Sequence, residues 1–342
     1  MTQQQGASST AVAEAKRHNN LGAMRHLEAD LAGARTEYDA ALAADPDNAT
    51  ALNNLGFVNA QEGDLSAAVE LYRAAIRANP DHATAYANLG NVLAGLGDLS
   101  GALSALRSSM EIEPANVLAL DSMAKVYLLA GELVEAERAW RAALAVSPGD
   151  VQILTALGTV VGAQNRIAES AAILREAVAR APDDAKAWAQ LGSVLFVRDD
   201  LGSASEALRR ALALAPEDRG ARHQLSMVLL ARGDRDAAVR ELERLLILDP
   251  DDHAARIDLA LHDLAAGDRT GAAKRLDLVL AAAPDEPRAC FYRAVVADLA
   301  GEDGAEPTLQ DLAAGDGPFA DRARRHLEDR SRSTREASAA DD

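Results

Sequence analysis

Residues 83–114, ATAYANLGNVLAGLGDLSGALSALRSSMEIEP, contain an apolar stretch, the turn pair Gly97-Asp98, a second apolar stretch and a closing proline. The same order recurs along the chain. Prolines stand at 46, 80, 114, 148, 182, 216, 250, 284 and 318, so nine of the eleven prolines fall on one comb with a period of 34 residues. Such self-similarity marks a repeat architecture, in which each copy is one supersecondary unit stacked on its neighbours.

Let each repeat end two residues after its proline, so that the first begins at Ala15. Position 8 then holds Gly22, Gly56, Gly90, Ala124, Gly158, Gly192, Ser226, Ala260 and Ala294, all small. Position 20 holds Ala34, Ala68, Ala102, Ala136, Ser170, Ala204, Ala238 and Ala272, and departs only at Glu306. Bulk sits at fixed phase beside these holes: Leu55 and Leu89 at position 7, Tyr38, Tyr72, Leu106 and Trp140 at position 24. Large knobs beside small holes let two helices cross closely. Glycine-acid pairs such as Gly63-Asp64, Gly97-Asp98 and Gly267-Asp268 supply a left-handed helix end and a cap for the next helix. Asp199-Asp200 lacks the glycine and Asn165-Arg166 lacks both features, so a looser turn or a slightly different internal angle is expected in the fifth repeat. Between repeats, proline followed by an acid or amide, as in Pro46-Asp47-Asn48, stops one helix and caps the next.

From about Ala15 to Pro318 this pattern resembles the tetratricopeptide repeat family. The resemblance implies an all-α fold, a right-handed α-solenoid or superhelix of helix-turn-helix units. Nine units are expected over 10–318, the ninth degenerate because Arg293, Glu306, Pro307 and Gln310 break its pattern. A capping helix is expected at 319–330 with Phe319, Ala323 and Leu327 on one face. Residues 1–9 and 331–342 read as disordered segments, with Thr10 capping the first helix.

Composition agrees with closely packed helices: hydrophobic residues are 49% of the chain, aromatics only 3%. Formal charge is −18, shared evenly between 11 basic and 20 acidic residues in 1–171 and 24 and 33 thereafter. An acidic surface of this kind gives phosphate no electrostatic support, so nucleic acid is excluded as the expected partner. Cys290 is the sole cysteine, which rules out an intrachain disulfide and a cysteine-built zinc site. The first twenty residues lack the basic start and apolar run of a signal peptide, and no stretch approaches membrane-spanning length, so a cytoplasmic protein without membrane insertion is expected.

Catalysis requires converging groups. No two of the seven histidines share the i, i+4 spacing of a helical metal site, and no glycine-rich phosphate loop or nucleophile elbow is present. No enzyme, cofactor or metal is expected, and the capping acids are read as structural.

Binding is different. In the family, positions 2, 5, 6, 9, 12 and 13 tend to face a groove lined by the first helices. Position 6 reads Asn20, Asn54 and Asn88 in the first three repeats, with Asn19, Asn53 and Asn91 at positions 5 and 9. This ladder resembles that of the O-linked N-acetylglucosamine transferases, which implies contacts to the backbone of an extended polypeptide. An amide offers an acceptor and two donors and pairs with peptide groups regardless of sequence. The alternative is that these amides bond to neighbouring repeats and set the stacking. The carboxylate clamp of chaperone-binding repeats is a poor match, because only Asn54 fits its places. Toward the C-terminus the groove positions turn apolar, with Phe196, Val197, Met227, Leu230, Ile257, Leu261, Phe291 and Tyr292. These residues suit an amphipathic helix, a neighbouring helix of the chain itself, or a self-associating dimer. Lys125 and Lys186 read as isolated groove cations that would receive an acidic residue of the ligand. The expected function is a non-catalytic protein-protein interaction scaffold or adaptor, binding an extended or helical segment of a partner protein. The alternative is a regulatory or substrate-recruiting subunit of a separate enzyme or of a secretion or envelope-assembly complex.

Overall fold

The computed structural model describes residues 2–302 and 304–340, with side chains over 10–302 and 304–332. Among the described residues there are nineteen α-helices and no strand. The chain divides into two compact bodies, Met1–Pro182 and Asp183–Asp342. The first carries α1 (Thr2–Leu27), α2 (Leu31–Ala44), α3 (Ala49–Gln61), α4 (Leu65–Ala78), α5 (Ala83–Gly95), α6 (Leu99–Ile112), α7 (Val117–Leu129), α8 (Leu133–Val146), α9 (Val151–Ala163) and α10 (Ile167–Arg180). The second carries α11 (Ala185–Val197), α12 (Leu201–Leu214), α13 (Arg219–Ala231), α14 (Arg235–Leu248), α15 (His253–Ala265), α16 (Arg269–Ala282), α17 (Pro287–Ala300), α18 (Ala305–Ala314) and α19 (Pro318–Ala340). Each body is a stack of helical hairpins, and the fold is an α-solenoid.

The 34-residue period resolves into a 13-residue helix, a short turn, a 14-residue helix and a link, as in α3 and α4. Helices stop before the comb prolines because a residue preceding proline is pushed out of the helical region; Asp45 and Asn79, for example, are extended. They start where a short polar side chain accepts from the first turn. Asn48 Oδ1 accepts from the Ala51 amide at 3.0 Å and Asp98 Oδ1 from the Gly101 amide at 2.9 Å. His82 does the same for α5, its Nδ1 accepting from the Ala85 amide at 3.3 Å. Not every turn acid caps, contrary to the simplest reading of the glycine-acid pair. Glu132 and Asp234 make no capping bond, and Asp234 instead pairs with Arg232 Nε at 3.3 Å.

The turn between the two helices of a repeat needs one residue with positive φ. Glycine provides it at Gly63 (87°) and Gly97 (85°), and Asn165 and Asp199 take the same conformation at 63° each. The looser turn expected in the fifth repeat is therefore absent. Short polar side chains tolerate the left-handed region, so the geometry survives the loss of glycine.

Packing follows the two-size code. A Cβ added to Gly90 would lie 2.6 Å from Leu106 Cγ, and one on Gly22 would lie 2.6 Å from the Tyr38 ring. Position 24 thus occupies the hole that position 8 leaves. Successive hairpins join through the next first helix: Leu55 and Val58 of α3 pack with Ala34 and Tyr38 of α2, and Leu89 and Val92 of α5 with Ala68 and Tyr72 of α4. Ser170 replaces alanine at position 20 without an unpaired hydroxyl, because its Oγ donates to the Gly158 carbonyl at 2.6 Å.

The ends differ from expectation. Helix α1 begins at Thr2, so Thr10 lies inside it and is not its cap, and α19 runs to Ala340 past the expected stop at 330. Neither 2–9 nor 331–340 contains a proline, and Gln, Ala, Arg and Glu all propagate a helix well. The ninth repeat has slipped by one residue. Ala305 and Leu309, four apart, are buried to 5% and 0% and stand where positions 20 and 24 stand elsewhere, while Glu306 and Gln310 are exposed. Pro307 does not interrupt α18, because it sits in the first turn, where a missing N–H costs nothing. Phe319, Ala323 and Leu327 of α19 pack on Phe291, Ala294 and Leu309.

Candidate partner-binding surface

In the first body the asparagines of positions 5 and 6 bond along the stack. Asn88 Nδ2 donates to Asn53 Oδ1 at 3.0 Å, Asn53 Nδ2 to Asn54 Oδ1 at 3.2 Å, and Asn54 Nδ2 to Asn19 Oδ1 at 3.0 Å. One chain of amides therefore links α5, α3 and α1. Asn53 is buried, Asn19, Asn54 and Asn88 are half-buried, and Asn20 and Asn91 are exposed. The Asn20 and Asn91 side chains make no hydrogen bond among the described residues. The three position-6 residues, alike in sequence, are thus unlike in place: Asn54 and Asn88 donate to the repeat before them, and Asn20 makes no such bond among the described residues. This geometry favours the stacking role for Asn19, Asn53, Asn54 and Asn88.

Position 6 behaves similarly in the second body. Gln224 Oε1 accepts from Ser193 Oγ of the preceding repeat at 2.6 Å, and Asp258 pairs with Arg288 of the following one. A polar side chain at this register is held close to the next helix, where an unpaired amide or carboxylate would be costly.

Lys125 is not an isolated cation. Its Nζ lies 2.6 Å from Asp121 Oδ2, and Asp121 Oδ1 also accepts from Trp140 Nε1 at 2.8 Å. This is a helical i, i+4 pair one turn apart within α7, so the ammonium is shared with Asp121. Lys186 and Arg198, at the two ends of α11, are exposed and have no carboxylate partner among the described residues.

The apolar groove positions divide in the same way. Ile257 and Phe291 are buried in the core, at 2% and 6% exposure. Tyr292 is covered by α19, its ring 6.3 Å from that of Phe319, and its hydroxyl accepts from Arg322 Nη1 at 2.7 Å. Phe196 is half-buried. Val197, Met227 and Leu230 remain open at 67%, 42% and 40%. Helices α11 and α13 contain no acidic residue within their spans, in a chain of net charge −18.

A cluster that the repeat pattern hides lies between α8 and α10. Buried Glu137 Oε2 accepts from Arg166 Nη1 at 2.6 Å and from Gln164 Nε2 at 2.8 Å, and its Oε1 accepts from Arg141 Nε at 2.8 Å. Glu169 joins both arginines. Burial alone would raise the Glu137 pKa, but the hydrogen bonds from Arg166, Arg141 and Gln164 outweigh it and hold it down at about 2. Arg166 is the residue that replaces the turn acid in the fifth repeat. Its departure from pattern was the available signal, and its meaning is a tie to the preceding repeat. Equivalent ties join Arg35 to Glu62 and Ser205 to Arg232. Burial raises the Cys290 thiol, aided by Glu286 and Asp285, so it is poorly suited to act as a nucleophile. Among the described residues no group of histidine, cysteine or acid side chains is placed to hold a metal ion, and no helix is long and apolar enough to cross a membrane.

Hairpins of fixed length, a two-size packing code and amide or ionic ties between repeats define a tetratricopeptide solenoid. Profiles of the tetratricopeptide repeat match residues 28–63, 58–97 and 83–116, and that of the cytochrome c-type biogenesis protein H TPR domain matches residues 163–289. The chain belongs to the tetratricopeptide repeat family. No curated protein matches it. Among solved structures it is similar to pilF of Pseudomonas aeruginosa, at 16% identity over 62% of this chain and 97% of that one, with a TM-score of 0.56. A tetratricopeptide repeat protein from Parabacteroides merdae aligns at 17% identity over 71% and 96%, with a TM-score of 0.54. The Cut9-Hcn1 hetero-tetramer of APC/C aligns at 19% identity and a TM-score of 0.58, covering 78% of this chain and 52% of that one. At these identities the likeness is one of fold. Tetratricopeptide folds typically mediate protein-protein interaction.

Proposed function

We propose that this chain is a non-catalytic scaffold or adaptor, which holds a helical or extended segment of a partner protein against the first helices of its repeats. The observation that carries this reading is the wall of α11 and α13. Val197, Met227 and Leu230 are open, and Lys186 and Arg198, at the two ends of α11, are exposed with no carboxylate partner among the described residues. Apolar side chains left open by the described residues, with cations at the helix ends that make no ion pair among them, suit an amphipathic segment with acidic flanks. The first reading also has the chain in the cytoplasm, which fractionation of the native host tests.

The double variant Phe196→Asp, Leu230→Asp tests the wall. A photo-crosslinking residue at Met227 should capture a defined segment of one partner with the wild-type wall and lose it in the variant, at unchanged helicity. Capture that is equal in both places the contact elsewhere.

A second reading is a recruiting subunit in cytochrome c biogenesis, favoured by the family match over residues 163–289. Deleting the gene should then lower covalently haem-bound c-type cytochromes on a haem-stained gel. Normal levels would discard this second reading and leave the first untouched.

A further inference from the structure

Repeat geometry says what each face of a first helix touches. Positions 3, 7 and 10 pack on the second helix of the preceding repeat, as the contacts of Ala51 with Ala41 and of Leu55 and Val58 with Ala34 and Tyr38 show. Position 14 lies on the same side, because Arg35 reaches forward to Glu62 and Glu137 to Gln164. In α1 these positions are Arg17, Leu21, Met24 and Glu28, one stripe along the helix. Among the described residues no helix stands in front of it. Position 7 is exposed by 2–8% at Leu55, Leu89 and Leu157, but by 37% at Leu21. Position 10 is exposed by 0–7% at Val58, Val92, Val126 and Val160, but by 59% at Met24.

We propose that this face of α1 joins two copies of the chain about a two-fold axis. The charges on the stripe identify the occupant. In an antiparallel pair of α1 helices with the axis between Leu21 and Met24, Leu21 meets Met24 of the second copy. Arg17 then meets Glu28 of the second copy, and the reverse contact forms by symmetry. Arg17 and Glu28 are both exposed, and neither has an ion-pair partner of opposite charge among the described residues. The stripe is thus self-complementary in both size and charge. Head-to-tail stacking offers no such match, because the exposed residues of α19 include Asp321, Arg325, Glu328 and Asp329. Desolvating those charges against Leu21 and Met24 would cost more than the apolar contact returns.

Sedimentation velocity of the full chain over a concentration series tests the pairing. The mass should rise from 35.9 kDa toward twice that value. Met24→Asp should stay monomeric throughout with an unchanged circular dichroism spectrum, since the side chain is exposed in the single copy. Arg17→Glu and Glu28→Arg should each weaken association about tenfold or more, and the double reversal should recover most of it, as expected for a direct charge pair. Phe196→Asp should leave association intact, which separates this contact from the partner-binding wall. The proposal is overturned if the wild-type chain stays at 35.9 kDa at the highest concentration. It is equally overturned if Phe196→Asp and not Met24→Asp abolishes the dimer, or if the double charge reversal recovers nothing.

Discussion

Replacing Glu137 by Gln should remove a pH-dependent part of the stability of the first body. The carboxyl is held at about 2, against an ordinary value of 4.5, by the hydrogen bonds from Arg166, Arg141 and Gln164 that overcome its burial. At about 1.4 kcal/mol for each unit of pKa, that gap corresponds to about 3 kcal/mol. The Arg141 and Arg166 side chains are 46% and 41% exposed, so water screens the pairs and about 1 kcal/mol survives. Because the folded value is depressed, the contribution is fully present above pH 4.5 and is lost as pH falls from there toward 2. Urea unfolding of wild type and Glu137→Gln, followed by circular dichroism at several values between neutral and strongly acidic pH, reads it directly. The variant should be weaker at pH 7, and the two curves should converge on acidification. A difference that stays constant with pH would show that shape and hydrogen bonding hold the joint and that charge does not.

Gly90→Val should destabilise the third repeat by about 1–3 kcal/mol, since its Cβ alone would lie 2.6 Å from Leu106 Cγ and 3.1 Å from the Ala102 carbonyl; thermal unfolding measures this, and a variant as stable as wild type would refute the packing code. His82→Asn should stabilise α5 below neutral pH by about 1 kcal/mol. Burial lowers the His82 pKa, so its contribution is full above the ordinary value of 6.5 and fades as pH falls below it, when the protonated Nδ1 no longer accepts from Ala85. Amide exchange at Ala85 against pH reports this, and a flat profile in the wild type would contradict it.

The spacing of Pro80, Gly90, Gly97, Ala102 and Pro114 was enough to read helix ends, turns and the pairing of large with small residues, because these depend on local backbone chemistry repeated at constant phase. Departures from the pattern were legible as departures but not as solutions. That Asn165 keeps the left-handed turn, that Arg166 reaches back to Glu137, and that Ala305 and Leu309 replace Glu306 and Gln310 by a one-residue slip all depend on what lies across the next helix. The binding residues were less legible still. Asn20, Asn54 and Asn88 share one position and one chemistry, yet Asn54 and Asn88 donate to Asn19 and Asn53, and Asn20 does not. Lys125 read as a lone cation, and Asp121 holds it.

The sequence by itself determined the repeat, the hairpin, the helix boundaries within repeats and the all-α class, since a 34-residue period with capped ends leaves each hairpin little other choice. Only the tertiary structure decided which polar groups are consumed by neighbouring repeats and which apolar ones remain open. A hydrogen bond or a buried methyl depends on the distance between helices about 34 residues apart in sequence, and no local preference encodes that distance.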